Sequence, residues 1–420
     1  MNGVIEPGLA PGDLSAPRRP RVLVIARNYP NNILPTLGIW TARFVQASTG
    51  AADPTVIAPV PYAPPGIPIE AFARFRRVAR QRHENGTVVH HPRVLVGPGY
   101  LLHSFEASLG YPRVRRLADR LHRQAGFDLI HAHFIYPDGV IAARLGQRYG
   151  IPVITTEPAP WLPWLRDYPR VGCIVNEALA HIRVVTAVSE SLRQNIAAAA
   201  GPTVATEVLY NVADDETFRA PAPGERWDPD QILFIGVVRH VKGLDVLAHA
   251  LARLASRRPK LRLVVVGAAY YRGYQKDEAD ARAVIDQLGL GTRVVFIGQV
   301  GPAEVAAALR RSAVLVVPSR RETFSTVTVE ALASGTPVVA TRCGGPEETL
   351  TRETGRLVPA EDPEALAAGI EEVLETREAF DPGHLRHYAV SKFGRAAAAA
   401  RLESLYARVL TNRIGRSHDD

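Results

Sequence analysis

From Arg21 onward the chain alternates short β-branched apolar runs with longer segments whose apolar residues recur at helical spacing. RVLVIA (21–26) reads as a buried strand, TLGIWTARFVQAST as a helix and PTVIAPV as a second strand. FDLIHAHF (127–134), DGVIAARLGQRYG (138–150), IPVITT (151–156) and IRVVTAVS (182–189), running into SLRQNIAAAA, continue the alternation. Strands that are apolar throughout, with helices between them, predict parallel sheets covered on both faces.

The pattern restarts after a polar, Pro-rich stretch, DDETFRAPAPGERWDPDQ (214–231). QILFIGVV, GLDVLAHALARLASRR, LRLVVVG, a charged helix over 276–289, TRVVFIG, AEVAAALRRS, AVLVVPS, a helix near 326–334 and TPVVAT follow in turn. That is a second doubly wound α/β unit. The expected organisation is a flexible leader (1–19), a first Rossmann-like domain (20–212), a linker (213–231) and a second Rossmann-like domain (232–380). A terminal helical segment (381–420) is expected to cross back to the first domain. Ligands of such sheets bind at the carboxyl ends of the strands, here in a cleft between the domains.

A length of 420 residues suits two cores, and 46% hydrophobic with 22% charged residues excludes a disordered chain. Cys173 and Cys343 are the only cysteines, so no disulfide framework is expected and a reducing compartment fits. The leader lacks an apolar segment of signal-peptide type, and no apolar run reaches the ~20 residues of a membrane helix. Localisation is therefore expected to be cytoplasmic, at most at the inner membrane face. The net charge of +8 sits wholly in residues 1–210, which hold 22 Arg, no Lys and 14 acidic residues. The remainder balances 28 basic against 28 acidic side chains, and the chain has 46 Arg but only 4 Lys. Residues 59–82 begin Pro-rich and become Arg-studded, with Ile69, Phe72, Phe75 and Val78 near helical spacing. The segment 67–82 predicts a basic amphipathic helix, which either docks on its own domain or touches an anionic membrane.

The chemistry concentrates in AVLVVPSRRETFSTVTVEALASGTPVVA (313–340). STVTVE carries four consecutive β-branched residues, so local propensity opposes the helix that strand–helix–strand spacing requires. Such a conflict is expected at functional sites. A helix beginning near Ser325 would offer free N–H groups and a positive dipole end to a diphosphate. Glu330 would lie about one turn in, within reach of ribose hydroxyls, and Glu322 in the preceding loop. The plainer alternative is two surface carboxylates.

Glu322 and Glu330 at E-x7-E spacing, followed by GTPVVAT and GGPEE, resemble glycosyltransferase family 4, which has the GT-B fold. IHAHFIYPDG, AVSESLR, LYNVADDETF, FIGVVRHVKG and GRLVPAEDPEALAAGI extend the likeness over nearly the whole chain after the leader. The resemblance implies that Glu330 binds the nucleotide ribose, that Glu322 contacts the donor sugar, and that the backbone of Thr323, Phe324, Ser325 and Thr326 lies near the phosphates. It implies that His133 reaches the sugar's reacting region, whereas His131, placed on the alternate strand face, reads as a core histidine. Lys242 and Arg239, in the loop after Gly236, would oppose the charge of a leaving diphosphate. The family has Arg directly after that Gly, where this chain has Val237. Gly38 opens the first helix and permits close approach to a phosphate or sugar, and Gly298 and Val300 are further donor-site candidates.

Many relatives have a His-Gly-(Ser/Thr)-Asp run where this chain has EPAPWLPW. Glu157, Trp161 and Trp164 are therefore candidates for the acceptor site, with core tryptophans as the alternative. Asp228-Pro229-Asp230 matches the letters of a metal-binding Asp-x-Asp motif but is expected to be a turn in the linker. No metal and no cofactor are expected. The implied activity is retaining transfer from a nucleoside-diphosphate sugar, UDP preferred over GDP, to a glycan, lipid-linked or other hydroxyl acceptor in polysaccharide or cell-envelope synthesis. A sugar-nucleotide epimerase and a catalytically impaired nucleotide-sugar-binding protein remain as alternatives. A nucleic-acid partner is not expected, because no aromatic-basic motif accompanies the charge.

Overall fold

The computed structural model describes residues 18–62, 73–95, 103–160, 167–269 and 273–411. The first domain begins β1 (Arg21–Ile25), α1 (Ile39–Ser48), β2 (Asp53–Ile57) and β3 (Val60–Tyr62). A hairpin of β4 (Gln81–Glu84) and β5 (Thr87–His90) follows, then β6 (Arg93–Leu95) and α2 (Glu106–Ala125). The domain continues through β7 (Leu129–His133), α3 (Val140–Tyr149), β8 (Val153–Glu157), α4 (Pro169–Leu179), β9 (Val184–Ala187), α5 (Glu190–Ala200) and β10 (Thr206–Val208). Its main sheet has the order β10-β9-β8-β7-β1-β2-β5-β4. All its pairings are parallel except β4 with β5. β7 and β8 are buried along their whole length, as a sheet with both faces covered requires.

The second domain runs β11 (Asp228–Ile235), α6 (Leu244–Leu254), β12 (Arg262–Val266), α7 (Gln275–Gln287), β13 (Val294–Gly298) and α8 (Pro302–Arg311). It continues with β14 (Ser312–Val317), α9 (Thr326–Ala333), β15 (Val338–Thr341), the short α10 (Pro346–Thr349), β16 (Gly355–Val358) and α11 (Pro363–Glu375). Its sheet is wholly parallel, in the order β13-β12-β11-β14-β15-β16. The last helices are α12 (Pro382–Phe393), packed on α9, and α13 (Arg395–Thr411), packed on α1. Leu402, Leu405, Tyr406 and Val409 of α13 share one apolar cluster with Val22, Val24 and Phe44 of the first domain. The α/β class, with two doubly wound parallel sheets, is as the apolar runs predicted.

Both sheets reverse direction at a central strand: β1 lies between β7 and β2, and β11 between β14 and β12. The crevice of a doubly wound sheet opens beyond the strand ends at that reversal. The loops after β1 and β7, and those after β11 and β14, are therefore placed to carry a site.

Two local expectations fail. The segment 67–82 is not a continuous helix over its described part: Arg74–Arg77 is a single 3₁₀ turn, and β4 begins at Gln81. Asn85 (φ 47°) and Gly86 (φ 77°) both adopt positive φ and close the β4–β5 hairpin. An Asn-Gly pair is a strong hairpin signal, and it overrides the apolar spacing before it. Phe75 and Val78 are buried with Val60, so the segment's described apolar residues face their own domain; Ile69 and Phe72 lie outside the described residues. Asp228-Pro229-Asp230 is not a linker turn but the first part of β11. Asp228 pairs with Arg262, and the Asp230 N–H donates to Asp228 Oδ1 (2.9 Å).

Candidate active site

The loops after β11 and β14 interlock through close backbone contact. Gly243 has φ 69°, and a Cβ there would stand 2.0 Å from the Pro318 carbonyl oxygen, so only glycine fits. Arg320 braces the same junction: its N–H donates to the Val241 carbonyl (2.9 Å), and its guanidinium forks onto Asp245 at 2.9 and 2.8 Å. This junction brings Lys242 to Glu322. Lys242 Nζ donates to Glu322 Oε1 at 2.6 Å, and Ser319 Oγ donates to the same oxygen at 2.8 Å. The Glu322 N–H donates to the Cys343 carbonyl, and the Gly345 N–H donates to the Glu322 carbonyl, both at 3.0 Å. A Cβ on Gly345 would meet the Phe324 backbone at 2.4–2.6 Å, which explains the glycines before Pro346. Glu322 is thus fixed at both its backbone and its carboxylate.

Past Glu322 the chain passes Thr323 and Phe324 and turns sharply into α9. Phe324 is buried against Tyr210 and Phe393. Ser325 then takes a left-handed conformation (φ 63°, ψ 69°), a geometry that costs a non-glycine residue about 1–2 kcal/mol. Its hydroxyl is 2.7 Å from that of Thr328, and no side chain caps the helix that starts at Thr326. The β-branched run is helical because Thr328 and Val329 are fully buried, and tertiary packing outweighs local preference. Glu330 follows one turn into α9. Burial raises its pKa to about 7, although Arg43 pulls it back down. Arg43 reaches from α1 of the other domain, 3.4 Å from Glu330 and 3.3 Å from Asp214. Nothing local in the sequence marks Arg43, which looks like any other helical arginine.

On the first domain, His131 and His133 share one face of β7, with rings stacked at 4.8 Å. This corrects their placement on alternate faces, since residues two apart in a strand point the same way. His131 is held between the Tyr406 hydroxyl (2.9 Å) and Thr156 Oγ1 (2.7 Å), and burial lowers its pKa to about 3. His133 is 2% exposed, with its ring 5.6 Å from that of Phe44, and burial holds it neutral. Glu157 is equally buried and accepts from the Ile135 and Ala159 N–H groups at 2.9 and 3.0 Å. That commitment to backbone corrects its expected place at an acceptor surface. Trp161 and Trp164 lie outside the described residues.

Gly38 has φ 62°, and a Cβ there would be 1.9 Å from the Asn28 carbonyl oxygen. It lines a cavity of about 610 Å³ together with Arg27, Asn28, Trp40, Arg74 and Gln299. Gln299 comes from the second domain, between Gly298 (φ 83°) and Val300, so this cavity spans the cleft. Gly236 directly follows β11 and bonds to β12, its N–H donating to the Val266 carbonyl at 3.0 Å. Arg239 lies over the Tyr274 ring at 4.2 Å and, unlike Lys242, makes no ion pair with Glu322. A second contact across the cleft joins Glu348 of GGPEE to the start of α5, where it accepts from the Glu190 and Ser191 N–H groups at 2.6 and 3.1 Å. Among the described residues no cluster of three or more His, Cys, Asp or Glu is placed to hold a metal ion. No described helix is long and apolar enough to cross a membrane.

Two Rossmann-like sheets facing a cleft, with a fixed glutamate at the mouth and a second one turn into a helix, define a GT-B protein. Residues 63–217 match Glycosyltransferase Family 4, and residues 215–388 match Glycosyl transferases group 1. The chain belongs to glycosyltransferase family 4. The D-inositol 3-phosphate glycosyltransferase of Corynebacterium efficiens is 35% identical over 43% of this chain and 43% of that protein. The match to this relative therefore spans less than half of its length. The proteins of the same name from Frankia alni and Streptomyces coelicolor are 29% and 28% identical, over 67% and 71% of this chain and 74% and 73% of theirs. Among solved structures, the sucrose-phosphate synthase of Thermosynechococcus elongatus superposes with a TM-score of 0.75 at 20% identity, covering 94% of this chain and 100% of that one. HepE of Anabaena, solved in complex with UDP, gives 0.70 at 19% identity, covering 93% and 100%.

Proposed function

We propose that this protein transfers a glycosyl group, with retention, from a nucleoside-diphosphate sugar to a hydroxyl acceptor without a metal ion. The single observation that carries the proposal is the Lys242–Glu322 contact at the switch point of the second sheet, one loop before the helix that bears Glu330. Glu330 takes the ribose hydroxyls, the start of α9 faces the diphosphate, and Glu322 orients the sugar. The C1–O bond to the diphosphate breaks while the acceptor oxygen bonds C1 on the same face, and the acceptor's proton passes to the leaving phosphate. Lys242 has three N–H donors, so it can hold Glu322 and still meet the diphosphate. Neutral His133 contributes a hydrogen bond rather than a charge. The relation to HepE, a protein solved with UDP, supports a UDP sugar as donor.

The acceptor is assigned to the cavity between Gly38 and Gln299, where Arg74, Asn28 and Trp40 offer polar and aromatic contacts to a polyol or glycan. A glycan acceptor there would give the protein a role in polysaccharide or cell-envelope glycan synthesis. The test is a thermal-shift panel of nucleotide sugars, followed by mass-spectrometric product analysis with and without candidate acceptors. Acceptor-dependent transfer with retained anomeric configuration is expected. Conversion of the donor sugar without any acceptor, or tight donor binding with no transfer or hydrolysis, would reject the proposal.

A further inference from the structure

A second cavity, of about 440 Å³, lies on the first domain between the β4–β5 hairpin and α2. It shares no lining residue with the cavity across the cleft. Arg113, Arg116 and Arg120 line it from α2, and Arg80 and Arg93 face them from the hairpin side. Spacings of three and four residues put the three helical arginines on one face, where like charges repel. Among the described residues, none of the five arginines is ion-paired to a carboxylate, although nearby Arg82 and Arg148 are. Five such cations around one concavity make a positive field that attracts an anion.

The floor is built rather than merely solvated. Arg93 is fixed by donating to the carbonyls of His91 (3.0 Å) and Val78, which hold its guanidinium in one orientation. His91 also lines the cavity and is 1% exposed. Its Nδ1 lies 3.1 Å from the Ala58 carbonyl and must donate to it, because a carbonyl only accepts. Its Nε2 is buried and has no hydrogen-bond partner among the described residues. A buried ring nitrogen without a partner is costly in a folded protein. A phosphate would relieve that cost in either of two ways. Its P–O–H group can donate to the bare nitrogen, or its oxygen can accept from the protonated ring. Burial, and to a lesser extent nearby arginines, depress both His91 and His90.

We infer that this cavity binds a phosphomonoester or diphosphate group, held by the arginines at its rim and by His91 at its floor, separately from the interdomain cleft. Planar guanidinium forks match phosphate oxygens in pairs, which suits an arginine-only set. The group comes either from a soluble phosphorylated molecule or from a lipid headgroup, and two measurements on the full chain separate these sources. The first is calorimetry with inorganic pyrophosphate, in a Lys242→Gln background that weakens the cleft's own attraction for diphosphate. The second is flotation with vesicles of phosphatidic acid, with phosphatidylcholine as the control.

Pyrophosphate is expected to bind the Lys242→Gln protein and to bind about tenfold or more weakly once Arg116→Gln and Arg120→Gln are added. Both arginines are exposed, so circular dichroism should show an unchanged fold. Flotation on phosphatidic acid that the double variant loses assigns a lipid headgroup. Pyrophosphate binding without flotation assigns a soluble ligand. Absence of both, or equal binding by parent and double variant, overturns the inference.

Discussion

Arg43 of the first domain and Glu330 of the second meet across the cleft, Nη1 to Oε1 at 3.4 Å, and the same guanidinium is 3.3 Å from Asp214. One arginine thus holds a carboxylate of the interdomain linker and one of the second domain, the latter the proposed ribose ligand. Burial outweighs this partner, so Glu330 titrates at about 7. Ribose hydroxyls donate to a carboxylate and favour its charged form, so nucleotide binding should lower that pKa and release a proton. Affinity for a UDP sugar, whose esterified diphosphate does not titrate in this range, should therefore rise as pH increases through about 7 and level off above it. Calorimetry in buffers of different ionisation enthalpy should detect proton release near pH 6.5. Glu330→Gln should bind more weakly and show neither effect.

Stability of the unliganded protein should move the opposite way with pH at three buried carboxylates. Burial raises Glu330 and Glu157 to about 7 and Asp138 to about 6. An acid whose folded pKa is raised contributes stability that is fully present below its unfolded pKa and is lost as pH rises through the folded value. The window runs from about 4 to about 7. Glu157 is the cleanest probe, because among the described residues its hydrogen bonds go only to backbone N–H groups. Glu157→Gln should be stabilised relative to wild type on going from pH 5 to pH 8, by roughly 2 kcal/mol in urea unfolding. An unchanged difference between the two proteins at both pH values would contradict the shift.

Glu322 and Glu330 should separate kinetically. Glu322→Gln keeps the shape and the Ser319 contact but removes the charge facing Lys242, and should lower kcat by about 10²–10³ with little change in donor KM. Glu330→Ala should chiefly raise the donor KM. Initial rates over a donor series measure both, and a pure KM effect from Glu322→Gln would assign it to binding alone.

Most of the architecture could be read from the sequence because VLVI, ILFI and LVVV are apolar throughout and are not suited to facing water on either side. Glu330 stands out in the sequence for a different reason: β-branched residues around it are forced into a helix, and the burial of Thr328 and Val329 shows what forces them. Glu322 stands out through its spacing to Glu330 and the family resemblance. Failures came where a two-residue signal opposed a longer pattern, as when Asn85-Gly86 set a hairpin whose first strand takes Gln81 and Arg82 from the expected helix. Arg43 and Glu348 were hidden because their importance lies in the docking of two domains, which no local spacing encodes.

The glycine pair before Pro346 gives the sharpest steric test of the site. Gly345 has an ordinary negative φ, so alanine there suffers no backbone penalty of its own. Its Cβ would nevertheless meet the Phe324 N, Cα and C atoms at 2.4–2.6 Å. Phe324 has little room to retreat, because its ring is packed against Tyr210 and Phe393. The contact must open by moving the 322–324 loop, which the Gly345 N–H anchors through the Glu322 carbonyl. Gly345→Ala should therefore cost about 1–3 kcal/mol of stability and should also lower kcat by displacing the Glu322 carboxylate from Lys242. Gly50→Ala, with nothing within 4 Å of its Cβ, is the matched control and should leave both unchanged. A Gly345→Ala protein of wild-type melting temperature and kcat would show that the loop can yield, and that Glu322 is not held where the reaction needs it.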